Sequence, residues 1–264
     1  MQKLLLAFVT VALLFACNES PKEPVAVAKN SSWATSHLKG MVKTMEETSY
    51  KPDSTGKIGE MDSCCIEINV YNDKGYVETN TEKDSKGTTT EETVYERNED
   101  DKFKSATTTV NGKQVWSRVT TYDADGKTMD AKDTDSTGQV TYFYSEVTEN
   151  EIGQALSGKM FTGDSTYMGT WSFKYTDGLR TGRSWVDSTG LELYDYTGEL
   201  NDKGFLAKMT GKVLAGKDST TTTVETYTYD SYDEMGNWTQ RTEYDGDGKA
   251  TKVEKRTYAY FKKE

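Results

Sequence analysis

The chain contains very little histidine, cysteine and proline: one, three and three residues respectively among 264. The single histidine, His37, lies near the N-terminus and leaves no source for a Ser-His-Asp triad, a Cys-His pair or a histidine-rich metal site. No stretch sustains a 3.6-residue apolar period, which argues against long helices. A net charge of −11 without basic patches argues against nucleic acid as a partner.

Aliphatic residues are also scarce, because Leu, Ile, Val and Phe supply only 42 of the 264 residues. That share alone is typical of a disordered chain. However, 17 Tyr, five Trp and many Thr fit a pleated, half-buried surface and bury large areas per side chain. We therefore expect a folded all-β protein with a thin core. The acidic residues are spread along the chain, which favours a solvated surface over a dedicated cation-binding face.

The N-terminus has the pattern of a secretory signal. One positive charge in Met1–Lys3 precedes an apolar run, Leu4–Phe15, that is too short for a permanent membrane span. The run ends at Ala16 and Cys17, which resembles the bacterial lipobox. This resemblance implies a signal peptide over residues 1–16 and acylation of Cys17, and the alternative is an ordinary signal peptide with an incidental cysteine.

The residues after Cys17 are small and polar, so residues 17–32 are predicted to be a flexible lipidated tether and 33–264 the β domain. The lipid predicts anchorage in the outer membrane, because buried methylenes hold the chain there. Only Glu19 is acidic near the anchor, so the prediction leaves periplasmic and surface orientations open. The neighbours Cys64 and Cys65 are predicted to be unpaired structural residues, with a vicinal disulfide or a soft metal as alternatives.

A short motif recurs along the chain: an aromatic residue followed by an acidic turn that ends in glycine. Asp and Asn hydrogen-bond their own backbone and Gly readily adopts positive φ, so each copy predicts a hairpin turn. The copies are Tyr71–Gly75, Tyr122–Gly126, Tyr175–Gly178, Tyr232–Asn237 and Tyr244–Gly248.

Strands are predicted between these turns. The clearest hairpin is 107–110 with 113–116, joined by Asn111-Gly112, which fits a type I′ turn. Residues 220–229, 238–244 and 250–261 predict three further strands, and 38–50 another. Together they predict an antiparallel meander of hairpins that forms an extended or curled sheet.

The segments Tyr229–Trp238 and Arg256–Phe261 resemble the YD, or RHS-like, repeats of Bacteroidetes lipoproteins, as do Leu38–Lys43 and Glu46–Tyr50 more loosely. Residues 142–214 depart from the pattern through irregular spacing and extra glycines. The resemblance implies stacked β-hairpins and no enzymatic activity. In large toxins such repeats form the wall of a closed shell, and this chain is expected to be too short to enclose one.

The triplet Asp-Ser-Thr occurs five times and resembles the Bacteroidetes O-glycosylation sequon, in which the serine would carry the sugar. The same triplets also fit exposed Asx turns, and the two interpretations are compatible because a glycan needs an exposed loop. The predicted sites are Ser54, Ser136, Ser165, Ser188 and Ser219.

No residues are predicted to be catalytic and no cofactor or metal is expected. One run matches a twelve-residue calcium loop in part, but it begins with Glu and is flanked by predicted strands, which favours an accidental match. Its matching residues are Glu243, Asp245, Asp247, Gly248, Thr251 and Glu254.

Two non-enzymatic functions fit these features. The first is a lipid-anchored envelope protein that acts as an interaction or structural module for other envelope proteins. The second is a glycan-binding lipoprotein, which requires aromatic side chains exposed as a ladder instead of packed in the core. For that ladder the sequence favours Trp171, Tyr175 and Trp185, because they fall where the repeat is broken.

Overall fold

A computed structural model describes residues 30–124, 126, 128–216 and 219–262, without the side chains of residues 63–65 and 128. The predicted signal peptide, the lipidated Cys17 and residues 18–29 lie outside this part of the chain. The described residues are almost entirely β, as expected, with one short helix, α1 (Ser32–Thr35). No described helix has the length and apolar character needed to cross a membrane.

Sixteen strands follow α1 in the described chain. They are β1 (Val42–Pro52), β2 (Ile58–Tyr71), β3 (Val77–Lys83), β4 (Thr89–Arg97), β5 (Phe103–Val110), β6 (Lys113–Tyr122), β7 (Thr128–Asp135), β8 (Val140–Glu149), β9 (Ala155–Thr162), β10 (Tyr167–Thr176), β11 (Leu179–Asp187), β12 (Glu192–Leu200), β13 (Leu206–Gly216), β14 (Ser219–Tyr232), β15 (Trp238–Tyr244) and β16 (Ala250–Tyr260).

The strands form a closed antiparallel barrel, so the expected extended or curled sheet is wrong. Each strand pairs with its neighbours in sequence, and β1 also pairs with β16, from Val42 opposite Tyr260 to Tyr50 opposite Val253. Closure satisfies the backbone groups that an open sheet leaves unpaired at its two edges.

Local features of the predicted hairpins agree well with the structure. Asn111 and Gly112 join β5 to β6 with φ of 50° and 73°, as a type I′ turn requires. The three predicted C-terminal strands correspond to β14, β15 and β16. The strand predicted from residue 38 begins only at Val42. The residues before it, 30–41, lie across the end of the barrel instead of in the sheet.

Residues 30–41, here the cap segment, lie across one end of the barrel. Trp33 is 1% exposed, its backbone N–H donates to Gly75 O (3.1 Å) and its Nε1 donates to Val42 O (2.8 Å). Its side chain packs with Val42, Met45 and Tyr71 in a small apolar core. The last residues of the predicted tether, 30–32, are therefore packed against the barrel.

The cap segment also reaches the far side of the same end. The two ring nitrogens of His37 lie 2.6 Å from Gly204 O and 2.8 Å from Asp177 O. Lys39 N donates to Asn237 Oδ1 (2.7 Å), and Asn237 Nδ2 donates back to Lys39 O (2.8 Å). The segment thus links turns from β2–β3 to β14–β15. We call this the capped end, and the opposite end, with the β1–β2 and β3–β4 turns, the far end.

Candidate functional site

Strand register determines which side chains face the inside of the barrel. Trp171 of β10 lies opposite Trp185 of β11, which lies opposite Tyr194 of β12. A single cavity of about 410 Å³ contacts side chains from β5 through β12, including these three. Only the concave side of a curved sheet brings eight consecutive strands to one cavity, so these residues face the lumen.

The lumenal side of β10–β12 is largely aromatic. Two residues further along each strand, Phe173, Arg183 and Tyr196 also lie opposite one another and form a second row beside Trp171, Trp185 and Tyr194. Ring centroids are 4.9 Å apart for Trp171 and Phe173, and 5.6 Å for Tyr194 and Tyr196. We call these six residues the aromatic platform, namely Trp171, Phe173, Arg183, Trp185, Tyr194 and Tyr196.

Glycines make room for the platform rings. A Cβ at Gly158 would lie 2.6 Å from Trp171 Cζ2, and one at Gly169 would lie 2.9 Å from Trp185 Cζ2. At Gly211 it would lie 2.4 Å from Tyr196 Cε1. Three of the glycines that break the repeat in residues 142–214, namely Gly158, Gly169 and Gly211, are therefore strand residues covered by neighbouring aromatic rings.

Polar groups border the platform within the cavity. Arg118 Nε and Nη2 donate to the two carboxylate oxygens of Asp133 at 2.6 and 2.7 Å. Tyr144 donates its hydroxyl to the same carboxylate (3.3 Å), and burial, reinforced by the Asp133 charge, raises the pKa of Tyr144 to about 12. Tyr144 therefore keeps its proton at neutral pH and remains a hydrogen-bond donor.

Two further guanidinium groups lie on aromatic rings beside the cavity. Arg180 is 4.8 Å from the Phe173 ring centroid, and Arg183 is 5.1 Å from that of Tyr196. Both side chains line the cavity and are exposed. Stacking on a ring holds a guanidinium in place while leaving its N–H groups free to donate.

The opposite lumenal wall is acidic. Glu47, Glu67, Glu82 and Glu91 lie directly opposite one another in register across β1–β4. Glu47 accepts from Arg256 Nε at 2.6 Å. Partial removal from water, and then the charges of Glu91 and Glu67, raise the pKa of Glu82. The lumen thus has one aromatic, arginine-bearing wall and one wall with a row of carboxylates.

The predicted ladder residues lie on one strand pair. Trp171 and Trp185 face each other in the cavity, whereas Tyr175 lies further along β10 and donates its hydroxyl to Ala155 O (3.0 Å). Sequence reasoning missed Phe173, Arg183, Tyr194 and Tyr196. Their signal is the alternation of aromatic or Arg with polar residues at 171–173, 183–185 and 194–196, which is typical of one strand face.

The predicted glycosylation sites lie away from the lumen. All five serines of the Asp-Ser-Thr triplets are exposed and lie in or beside far-end turns, and their glycosylation stays a prediction.

Cys64 and Cys65 are in β2, with side chains outside the described part. Among the described residues, no three His, Cys, Asp or Glu side chains are placed to hold a metal. In the partial calcium-loop match, Glu254 accepts instead from Arg241 Nε and Lys252 Nζ.

Comparisons with known proteins identify a fold. No family model and no curated protein matches the chain. A porin-like protein from Bacteroides uniformis ATCC 8492 has a similar structure, with a TM-score of 0.52 and 13% identity over 83% of this chain and 98% of its own. The barrel is therefore a known fold.

Two other solved structures have lower TM-scores. A porin-like protein from Bacteroides vulgatus ATCC 8482 gives 0.30, with 12% identity over 83% of this chain and 99% of its own. The TcdB2-TccC3 structure gives 0.29, with 12% identity over 78% of this chain and 13% of its own.

Proposed function

We propose that this chain is a non-enzymatic protein of the bacterial envelope that binds a glycan inside its barrel. The observation that supports the proposal is the aromatic platform, five rings and one arginine in register on the lumenal face of three adjacent strands. The rings of the platform are half-buried and border a cavity of about 410 Å³, within the range of small-ligand sites.

A sugar ring matches the chemistry of this wall. Its C–H face is apolar and packs flat on an aromatic ring, while its hydroxyls point outward from the ring edge. At the cavity, Tyr144, Arg180 and Arg183 supply donors, and the buried Asp133 holds Arg118 in place through both carboxylate oxygens. Flat apolar surfaces edged by fixed polar groups are what orient an amphipathic ligand.

The outward side of the same wall supports attachment through the predicted lipid. Register places only polar side chains outward on the central parts of β10, β12 and β13, and Val186 of β11 is an outward apolar residue of the same wall. Ion pairs such as Lys174 with Asp195 (2.8 Å) join these strands. A barrel that crosses a bilayer presents an apolar band there instead. The outward residues are Thr170, Ser172, Lys174, Asp195, Thr197, Glu199, Lys208, Thr210 and Lys212.

We infer that the lumen lies outside the bilayer, with the cap segment nearest the predicted lipid. Residues 30–41 begin within the last three residues of the predicted tether and lie across one end of the barrel. In this proposal the capped end faces the membrane and the far end, with its exposed turns, faces away.

The test is calorimetric titration of the full-length protein in detergent micelles with a panel of soluble neutral and acidic hexasaccharides. We expect at least one to bind and to change tryptophan emission, and W171A/W185A to weaken that binding at least tenfold. W116A is the matched control, because Trp116 faces the lumen on β6 outside the cavity lining; it should bind within twofold of the wild type. No binding by any panel member, or unchanged binding by W171A/W185A in a folded protein, would overturn the proposal.

A further inference from the structure

All six arginines of the chain face the lumen. They are Arg97, Arg118, Arg180, Arg183, Arg241 and Arg256. Register and ring contacts place them there: Arg97 stacks on Tyr76, Arg241 and Arg256 stack on Trp238, and the other three line the cavity. The outward cations of the strands, such as Lys174, Lys208 and Lys212, are lysines. The planar guanidinium of arginine can donate two parallel hydrogen bonds to a carboxylate or sulfate group. The lumenal position of every arginine therefore indicates a role for these side chains inside the barrel.

Four of the six guanidinium groups have an oxygen partner within the protein. Arg118 is bound to Asp133, Arg241 to Glu254 and Arg256 to Glu47. Arg97 Nη1 donates to Asp101 O at 2.9 Å. These four therefore have evident structural roles, since each neutralises or satisfies a group of the barrel wall.

Arg180 and Arg183 differ from the other four. Within the described residues, no carboxylate oxygen lies within 4 Å of either guanidinium, and both are exposed where they line the cavity. They occupy the wall that carries the aromatic platform, while the row of four glutamates lies on the opposite wall. An anionic group in the lumen is thus attracted to one side and repelled from the other.

From this arrangement we propose that the lumenal ligand is an acidic glycan, and that Arg180 and Arg183 bind its carboxylate or sulfate groups. The inference rests on the proposed function, because it assigns the sugar to the same platform. Ring stacking at Phe173, Tyr194 and Tyr196 pre-orients both guanidinium groups, so little side-chain freedom is lost when the anion binds.

Matched ligands test the charge alone. Hexagalacturonate and its methyl ester share the same rings but differ in charge, and a chondroitin sulfate hexasaccharide with its desulfated form separates sulfate from carboxylate. In calorimetric titrations of the full-length protein in micelles, we expect at least one acidic ligand to bind at least tenfold more tightly than its uncharged counterpart. Raising the salt concentration should narrow the difference.

The double variant R180Q/R183Q should bind the acidic and uncharged ligands equally, because glutamine removes the positive charge of each side chain and keeps a hydrogen-bond donor. K208Q/K212Q removes the same charge from the outward face of β13 and should keep the tenfold preference. Equal binding of the two ligands by the wild type, or a preference that survives in R180Q/R183Q, would overturn the inference while leaving the proposed function intact. Failure of every ligand to bind would overturn both.

Discussion

Most of the equivalent turns at the two ends of the barrel differ in their first residue, which is Asp at the far end and Asn at the capped end, with Asp123 and Asp233 as capped-end exceptions. At the far end, Asp187 Oδ1 accepts from the backbone N–H of Thr189 (2.8 Å) and Leu191 (3.0 Å). At the capped end, Asn72 Oδ1 accepts in the same way from Lys74 (3.1 Å) and Tyr76 (3.0 Å). Asp53, Asp84, Asp135 and Asp245 head equivalent far-end turns, and Asn98, Asn150 and Asn201 head equivalent capped-end turns.

The difference follows from what covers each end. Both side chains offer an oxygen in the position that the turn requires, so geometry does not separate them. The cap segment removes capped-end groups from water, as the 2% exposure of Tyr76 and 1% of Asn237 show, and a charge there would lose hydration. The far-end turn aspartates are exposed or half-buried. Apart from Asp123 and Asp233, the first residue of these turns thus differs between the covered end and the open end.

Removal of Trp33 should give the largest difference between the ends. W33A deletes the most buried ring of the cap and its hydrogen bond to Val42, and should lower the free energy of unfolding by about 3–5 kcal/mol. L191A removes an exposed apolar side chain from a far-end turn and should cost under about 1 kcal/mol. Urea denaturation followed by far-ultraviolet circular dichroism measures both. Equal losses would show that the cap does not anchor its end.

The hairpins could be predicted from the sequence because their signals are local. Asn111-Gly112 specifies its turn through backbone conformation alone, and the Asp-Gly and Asn-Gly clusters do the same elsewhere. Closure depends on β1 pairing with β16, two segments separated by nearly the whole chain, and no short pattern reports such a contact. The cap was missed for a related reason, because Trp33 becomes a core residue only when Gly75 and Phe261 are brought beside it.

A matched pair of glycines gives the next prediction. Gly75 and Gly87 hold the fourth position of equivalent turns with φ of 86° and 82°, at the capped and far ends respectively. Alanine at either position incurs the cost of a left-handed conformation, about 1–2 kcal/mol. At Gly75 the new Cβ would also lie 2.4 Å from Trp33 Cδ2, whereas nothing lies within 4 Å at Gly87.

We therefore expect G75A to be less stable than G87A by about 1–3 kcal/mol, the usual cost of overpacking. Thermal and urea denaturation of the two variants against the wild type measure it. Combining G75A with W33A is the control, since removal of the ring should remove the extra cost. Equal stabilities for G75A and G87A would contradict the close packing of Trp33 on this turn.

The candidate site was only partly predictable. Trp171 and Trp185 were selected because they fall where the repeat is broken, and the structure places them opposite each other. Their partners on β12, and the glycines beneath the rings, are set by register between strands, which the spacing of single residues does not determine. The lumenal position of every arginine likewise follows only once the barrel closes.

The smallest expected effect is a pH dependence of stability that differs between turns headed by Asp and turns headed by Asn. Hydrogen bonds donated within each turn lower the pKa of the exposed far-end residues Asp53, Asp84, Asp135 and Asp187. For Asp84 the main donor is the Thr88 amide, and for the other three it is the hydroxyl of a Thr two residues on. Because the folded pKa lies below the ordinary value of about 3.9, this contribution to stability is complete above that value. It is lost as the pH falls through the lowered folded pKa.

Asparagine has no such titration, so hydrogen exchange should report the two ends differently. As the pH falls below about 4, turn amides such as Thr189 and Leu191 should lose protection, whereas Lys74 and Tyr76 should keep theirs after correction for intrinsic exchange rates. The variant D53N/D84N/D135N/D187N should abolish the difference, because its far-end turns then carry the neutral acceptor of the capped end. A far end that opens with acid in this variant as in the wild type would show that the sensitivity does not come from these four aspartates. Glu82 has a raised pKa, so its own contribution has the opposite sign: protonation as the pH falls relieves its repulsion with Glu67 and Glu91 and adds stability.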